Sequence, residues 1–169
     1  MTYQPNLILL QTHKMEELHD PHDTRLMGSF LGQVRKIFAL YHKMGSKLLS
    51  EKGVNIHIDQ LPVIMTAFYR PGISQQEIAN SICRDKSSVN RTVKYLEAAG
   101  YLKVSLNLKD KRQNTLRVTA KGKKEVEKIE IARLEMEQLL KEACTTVSYE
   151  ALTETVRTIS DNLEKNFKL

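Results

Sequence analysis

The chain has little of several things, and each shortage narrows what it does. Its 169 residues include two cysteines, Cys83 and Cys144, too few for the disulfide framework of a small secreted scaffold. Four prolines and seven glycines are scattered along it, so no Pro-rich or Gly/Ser-rich linker parts it into separate domains. No apolar run approaches the roughly eighteen residues that a membrane helix needs. Residues 1–22 lack the basic start, apolar stretch and small-residue cleavage site of a secretory leader. These absences predict a soluble, cytoplasmic protein. Also missing are a Gly-rich phosphate loop, a paired metal motif and a nucleophile–base arrangement, which argues against an enzyme. What is present is ordinary for a globular fold: 41% hydrophobic and 27% charged residues, enough apolar material to exclude wholesale disorder.

Acid is scarce in one place above all. Residues 84–124 hold twelve Lys and Arg against only Asp85, Glu97 and Asp110, a local charge of +9. The whole chain carries +6, so the remainder is acidic at −3. A basic window in an acidic remainder points to nucleic acid; the bland alternative is a solvated charged face.

Periodicity organises the chain around that window. Residues 1–23, broken by Pro5 and Pro21, form an N-terminal arm. From Thr24 the apolar residues Met27, Phe30, Leu31, Val34, Ile37, Phe38, Tyr41, Met44, Leu48 and Leu49 recur at steps of three and four, predicting a long amphipathic helix that ends near Gly53. Ile58–Tyr69 predicts a second helix, stopped by Pro71-Gly72. Ser74-Gln75-Gln76-Glu77 has the spacing of a capping box and opens a helix that buries Ile78, Ala79 and Ile82. After a turn at Cys83-Arg84, Asp85 caps the next helix, which stops at Gly100. Leu102, Val104 and Leu106 alternate before a polar loop, and Leu116 and Val118 after it, as in a β-hairpin with one buried face. Thr119 caps a long helix carrying Val126, Ile129, Ala132, Leu134, Leu139 and Leu140. Ser148 caps a last one carrying Leu152, Val156, Ile159, Leu163 and Phe167. The predicted fold is mainly α, a winged helix-turn-helix (58–119) with a small β-hairpin wing and long N- and C-terminal dimerisation helices (24–57 and 120–169).

Wound at 3.6 residues per turn, the helix Lys86–Ala99 gathers Val89, Val93 and Leu96 on one face. The opposite face presents Ser87, Arg91 and Lys94, flanked by Ser88, Asn90 and Tyr95. An apolar back and a donor-rich front suit a recognition helix laid in the major groove of double-stranded DNA. Small Ser87 and Ser88 let the helix N-terminus approach phosphate. Arg91 is the candidate for a bidentate guanine contact, Asn90 for a weaker adenine contact, and Lys94 and Tyr95 for phosphate. Each has the plain alternative of a solvated surface side chain. At the hairpin tip, Lys109, Lys111 and Arg112 suit the narrow minor groove. Asp110 is structural, either holding the Arg112 guanidinium in an aimed pose or serving as an ordinary turn residue.

Ser74-Gln-Gln-Glu-Ile-Ala79, Asp85-Lys-Ser-Ser-Val89 with Arg91, Leu96-Glu-Ala-Ala-Gly-Tyr-Leu102, Asp110-Lys-Arg112 and Val118-Thr-Ala-Lys-Gly122 together resemble the multiple-antibiotic-resistance regulator (MarR) family. Order and spacing agree over about fifty residues. The resemblance implies a homodimeric transcription regulator, commonly a repressor, that binds a pseudo-palindromic operator and is released by a ligand or an oxidant. Two positions depart from the family pattern. Val104 stands where an Arg usually supports the wing by an ion pair. Arg84 stands where an apolar residue usually closes the preceding helix, which either adds a phosphate contact or leaves the turn more exposed. A dimer also follows from the apolar stripes on the first and last helices, which a monomer of this size leaves uncovered. A two-fold interface sets two recognition helices about one DNA turn, roughly 34 Å, apart.

The releasing signal is written less clearly. The resemblance implies a small aromatic or phenolic effector, with Tyr41, His42, Met44, Met65, Phe68 and Tyr69 as lining candidates; the same residues at helical spacing also fit plain core. Cys83 before the recognition helix offers a redox-responsive alternative, against the expectation of a quiet, partly buried thiol. Cys144 is expected to pack at the last-helix junction. His19-Asp20-Pro21-His22-Asp23 contains metal-type ligands, but Pro21 breaks their spacing, so no metal or other cofactor is expected. A winged helix used for protein contacts or for RNA is a further alternative; a protein-binding face would carry more exposed aromatics.

Overall fold

The computed structural model of the chain describes residues 28–106 and 114–167. The chain divides into two units, Met1–Lys43 and Met44–Leu169. Helix α1 (Phe30–Glu51) begins in the first unit. There its apolar residues Phe30, Leu31, Val34, Ile37, Phe38 and Tyr41 are all exposed. The periodicity foretold the helix but not the burial of this stretch. Farther along, Leu48 and Leu49 do pack on the core of the second unit.

The expected second helix arrives in two pieces. Residues Ile58–Gln60 form a single 3-10 turn, and α2 proper is Leu61–Tyr69. Pro62 is the cause. It has no N–H to close an α-type bond onto the Ile58 carbonyl, which accepts instead from Leu61, three residues on. Helix α3 (Gln75–Ser81) opens with the full capping box. The Glu77 amide donates to Ser74 Oγ at 3.2 Å, and the Ser74 amide donates to Glu77 Oε2 at 2.9 Å.

Helix α4 (Lys86–Ala98) starts at Asp85, whose Oδ1 accepts from the Ser88 amide at 2.8 Å. It ends because Gly100 turns left-handed at φ +77°, letting the Tyr101 amide reach back to the Leu96 carbonyl at 2.8 Å. That reversal is available to glycine at no steric cost.

Strands β1 (Leu102–Leu106) and β2 (Asn114–Val118) pair antiparallel, with Leu102 opposite Val118 and Val104 opposite Leu116. Leu102 and Leu116 are buried, whereas Leu106 is 65% exposed. The predicted apolar face therefore reaches the core only at the base of the hairpin. A third extended segment joins the sheet. The Gly72 amide donates to the Leu116 carbonyl and the Leu116 amide to the Ile73 carbonyl, both at 2.9 Å, and Ser74 bridges Thr115.

Helix α5 (Ala120–Ala143) is capped by Thr119, and α6 (Tyr149–Phe167) by Ser148, whose Oγ accepts from the Ala151 amide. Val126, Ile129, Ala132 and Met136 of α5 are buried, but Leu134 and Leu139 face solvent, as do Leu152, Val156, Ile159 and Leu163 of α6. Cys144 is partly buried at the junction between the two helices, as expected.

The core is one cluster, and Ile64, Ile78, Val89, Val93, Leu96 and Leu116 are its least accessible members. At about 1.5–3 kcal/mol for each such side chain removed from water, burial rather than hydrogen bonding holds α2, α3, α4 and the wing together. Buried Glu125 adds a polar clasp. One carboxylate oxygen accepts from the Asn55 amide at 3.1 Å and the other from Lys128 at 2.9 Å, and Lys128 also reaches the Gly53 carbonyl. No helix among the described residues is long and apolar enough to cross a membrane.

Candidate nucleic-acid interface

Helix α4 has the two faces its periodicity called for. Val89, Val93 and Leu96 are fully buried, while Ser87, Arg91, Lys94 and Tyr95 are exposed and Ser88 and Asn90 half-exposed. Arg91 and Lys94 make no ion pair among the described residues, so their charges are open to an incoming anion.

The first residues of α4 also serve its cap. The Asp85 carboxylate takes the Ser88 amide and also the Ser87 hydroxyl, the latter at 2.5 Å. Arg91, about one turn on, and Lys94, about two turns on, make no such bond to the cap.

These caps respond to acid. The Ser74 amide N–H, and then its hydroxyl, hold the Glu77 carboxyl below its usual range. The Ser87 hydroxyl, and then the Ser88 amide, do the same for Asp85. A carboxyl whose folded pKa is depressed stabilises fully above its unfolded value, about 4, and ceases to do so as pH falls through the folded value. We therefore expect α3 and α4 to lose support below about pH 4. The urea midpoint of the Glu77→Gln, Asp85→Asn double variant should fall less steeply over that range than that of the parent chain; parallel curves would rule the caps out as the acid-sensitive element.

The turn between α3 and α4 corrects one expectation and resolves another. Cys83 is exposed, not partly buried. It is the one non-glycine with positive φ among the described residues, at +51°, because the chain reverses there to let the Arg84 amide bond the Ala79 carbonyl at 3.0 Å. Holding a side chain in that region costs about 1–2 kcal/mol. Arg84 turns inward: its guanidinium donates to the Asp59 carbonyl at 2.8 Å. It ties this turn to the 3-10 turn that precedes α2.

The missing arginine at Val104 is likewise compensated. The Val104 amide donates to Glu97 Oε1 at 3.0 Å, so the carboxylate holds β1 through the backbone. Lys121 is another cation used internally, donating to the Ala99 carbonyl at 2.7 Å and lying 4.6 Å over the Tyr101 ring. The charge count of the window thus overstates the charge available to a partner.

The wing-tip residues Lys109, Asp110, Lys111 and Arg112 lie outside the described residues, as does the His19–Asp23 stretch. Among the described residues no group of three His, Cys, Asp or Glu gathers for a metal. The effector-lining candidates divide. Met65 and Phe68 pack on the core, and Tyr69 is exposed with its hydroxyl donating to Glu130 of α5. Met44 is exposed in the same unit, whereas Tyr41 and His42 belong to the first unit.

Residues 56–113, which take in the 3-10 turn, α2, α3, α4 and β1, match the MarR family model. Over that third of the chain the sequence is similar to the MarR family. No curated protein sequence matches the chain, but its fold is shared with solved structures of that family. One is a mutant MarR from E. coli complexed with operator DNA, at TM-score 0.72 and 18% identity, covering 81% of this chain and 98% of the other. Another is the MepR–DNA complex of S. aureus, at TM-score 0.67 and 21% identity, covering 81% and 98%. A third is the PcaV transcriptional regulator of Streptomyces coelicolor in complex with its natural ligand, at TM-score 0.70 and 18% identity, covering 80% and 94%. At such identities the likeness establishes the MarR winged-helix fold.

Proposed function

We propose that this chain is a DNA-binding transcription regulator, a cytoplasmic repressor that binds a pseudo-palindromic operator as a homodimer and is released by a small aromatic or phenolic effector. The observation that carries the reading is helix α4, whose back is buried in the core while Arg91 and Lys94 stand exposed on its front, in no ion pair among the described residues. Ser87, Ser88, Asn90 and Tyr95 complete that front, and Lys109, Lys111 and Arg112, steadied by Asp110, form the second grip. The E. coli MarR and S. aureus MepR structures contain DNA and the Streptomyces regulator a ligand, which supports both halves of the proposal. The domain assignment follows: residues 58–119 hold DNA, 24–57 and 120–169 pair the subunits, and 1–23 form an arm. The exposed apolar residues of α1 and α6 favour the dimer, since soluble monomers seldom leave contiguous apolar patches uncovered.

The test is selection of bound sequences from a random duplex pool, followed by a salt titration and sedimentation. We expect an enriched two-fold-symmetric site, affinity that falls steeply as salt rises, and a dimer at micromolar concentration. A clean monomer, or a pool with no enriched sequence, would sink the proposal.

A further inference from the structure

Among the cations of the basic window that neither the front of α4 nor the wing tip accounts for, two face each other. In the hairpin ladder Lys103 on β1 stands directly opposite Arg117 on β2. Both are exposed, and neither has an anionic partner among the described residues. Glu97, the only acid between Lys86 and Lys109, gives a carboxylate oxygen to the Val104 amide instead. Like charges directly opposite each other on one face of a sheet repel, whereas an opposite-charge or hydroxyl pair would stabilise the hairpin. The next pair on that face, Ser105 with Thr115, is of the neutral kind. An arrangement that weakens the free hairpin is accounted for by an anion that arrives on binding.

We propose that Lys103 and Arg117 form a phosphate clamp at the base of the wing, gripping the duplex backbone beside the groove that the wing tip enters. The inference rests on the DNA-binding reading and extends it from helix and tip to the strands between them. Lys103 is three residues from the end of β1 at Leu106, about 10 Å at roughly 3.3 Å per residue. That is near the screening length of about 8 Å at physiological salt, and the long side chains shorten it further. The clamp therefore acts on phosphates flanking the groove. Phosphate contacts carry no base information, so its effect is the same on every sequence.

The experiment compares the full-length chain with the Lys103→Ala, Arg117→Ala double variant and the Lys103→Arg, Arg117→Lys exchange. Binding to a pool-selected duplex and to a scrambled one is followed by anisotropy over a range of salt, and each protein is melted alone. For the alanine pair, which removes four cations from the dimer, we expect a logarithmic salt slope shallower by about 3.6 and at least about tenfold weaker binding to both duplexes at low salt. Its melting temperature should equal or exceed that of the parent, because the repulsion is gone. The charge-preserving exchange should keep slope and affinity. An alanine pair with the parent's slope and affinity overturns the clamp, and so does a loss confined to the selected duplex. If the parent chain binds neither duplex, the DNA-binding reading falls and the clamp falls with it.

Discussion

Replacing Gly122 by alanine should destabilise the fold by about 3 kcal/mol, although the substitution sits in a helix and favours helix formation. A β-carbon at that position would lie 2.2 Å from the Tyr101 carbonyl oxygen and 2.7 Å from a Val118 methyl. The carbonyl is not free to retreat. It accepts from the Thr119 amide at 3.0 Å, and the Thr119 hydroxyl both accepts from the Gly122 amide at 3.0 Å and donates to the Gly100 carbonyl at 2.7 Å. One side chain thus caps α5 and pins it to the turn between α4 and β1. Alanine gains about 1 kcal/mol in helix propensity, whereas forcing backbone apart exceeds the roughly 1–3 kcal/mol of ordinary overpacking. The clash wins. At about 2–4 °C per kcal/mol for a chain of this size, the melting temperature should drop by roughly 6–12 °C. A Gly122→Ala protein that melts with the parent would show that the close approach is not structural.

That junction also shows where the sequence was informative. Thr119 declared itself as a cap because capping is decided within four residues, and the same holds for Ser74 with Glu77 and for Asp85. Gly122 was visible as part of a motif, but the reason for it lies in Tyr101, which its own neighbourhood does not contain. Several of the features missed are of this non-local kind. The Ile73 carbonyl pairs with Leu116, Arg84 reaches Asp59 twenty-five residues back, and Glu125 reaches Asn55 seventy residues back. Charge counting finds Arg84 and Lys121 but not the carbonyls that occupy them. It likewise finds Lys103 and Arg117 but not their opposition, which depends on hairpin register. The stripe on α1 was legible as periodicity, yet periodicity names a face and not what covers it. Phe30 and Phe38 accordingly remain exposed in the single chain. For Cys83, a lone cysteine suggested burial, while the reversal between α3 and α4 puts it outside.

The Arg91→Ala variant should lose about 30-fold per half-site in affinity for its selected duplex and much less for a random one. Arg91 is exposed in the middle of the α4 front, and the nearby Asp85 charge that acts on it is already held by Ser87 and Ser88. Among the described residues no ion pair therefore holds its guanidinium back from the groove. A bidentate contact to guanine is worth about 1–3 kcal/mol of discrimination, and 2 kcal/mol corresponds to about 30-fold. Arg91→Lys sharpens the test, because lysine keeps the charge but not the planar fork. It should retain the salt slope of the parent while preference between duplexes collapses. Arg112→Ala at the wing tip should instead weaken all duplexes by a common factor. The two classes separate on a plot of affinity for the selected duplex against affinity for the random one. Base readers leave the diagonal and backbone contacts move along it. If Arg91→Ala moves along the diagonal with Arg112→Ala, then α4 tracks phosphate at that position, and specificity must come from Asn90 or from the shape of the DNA.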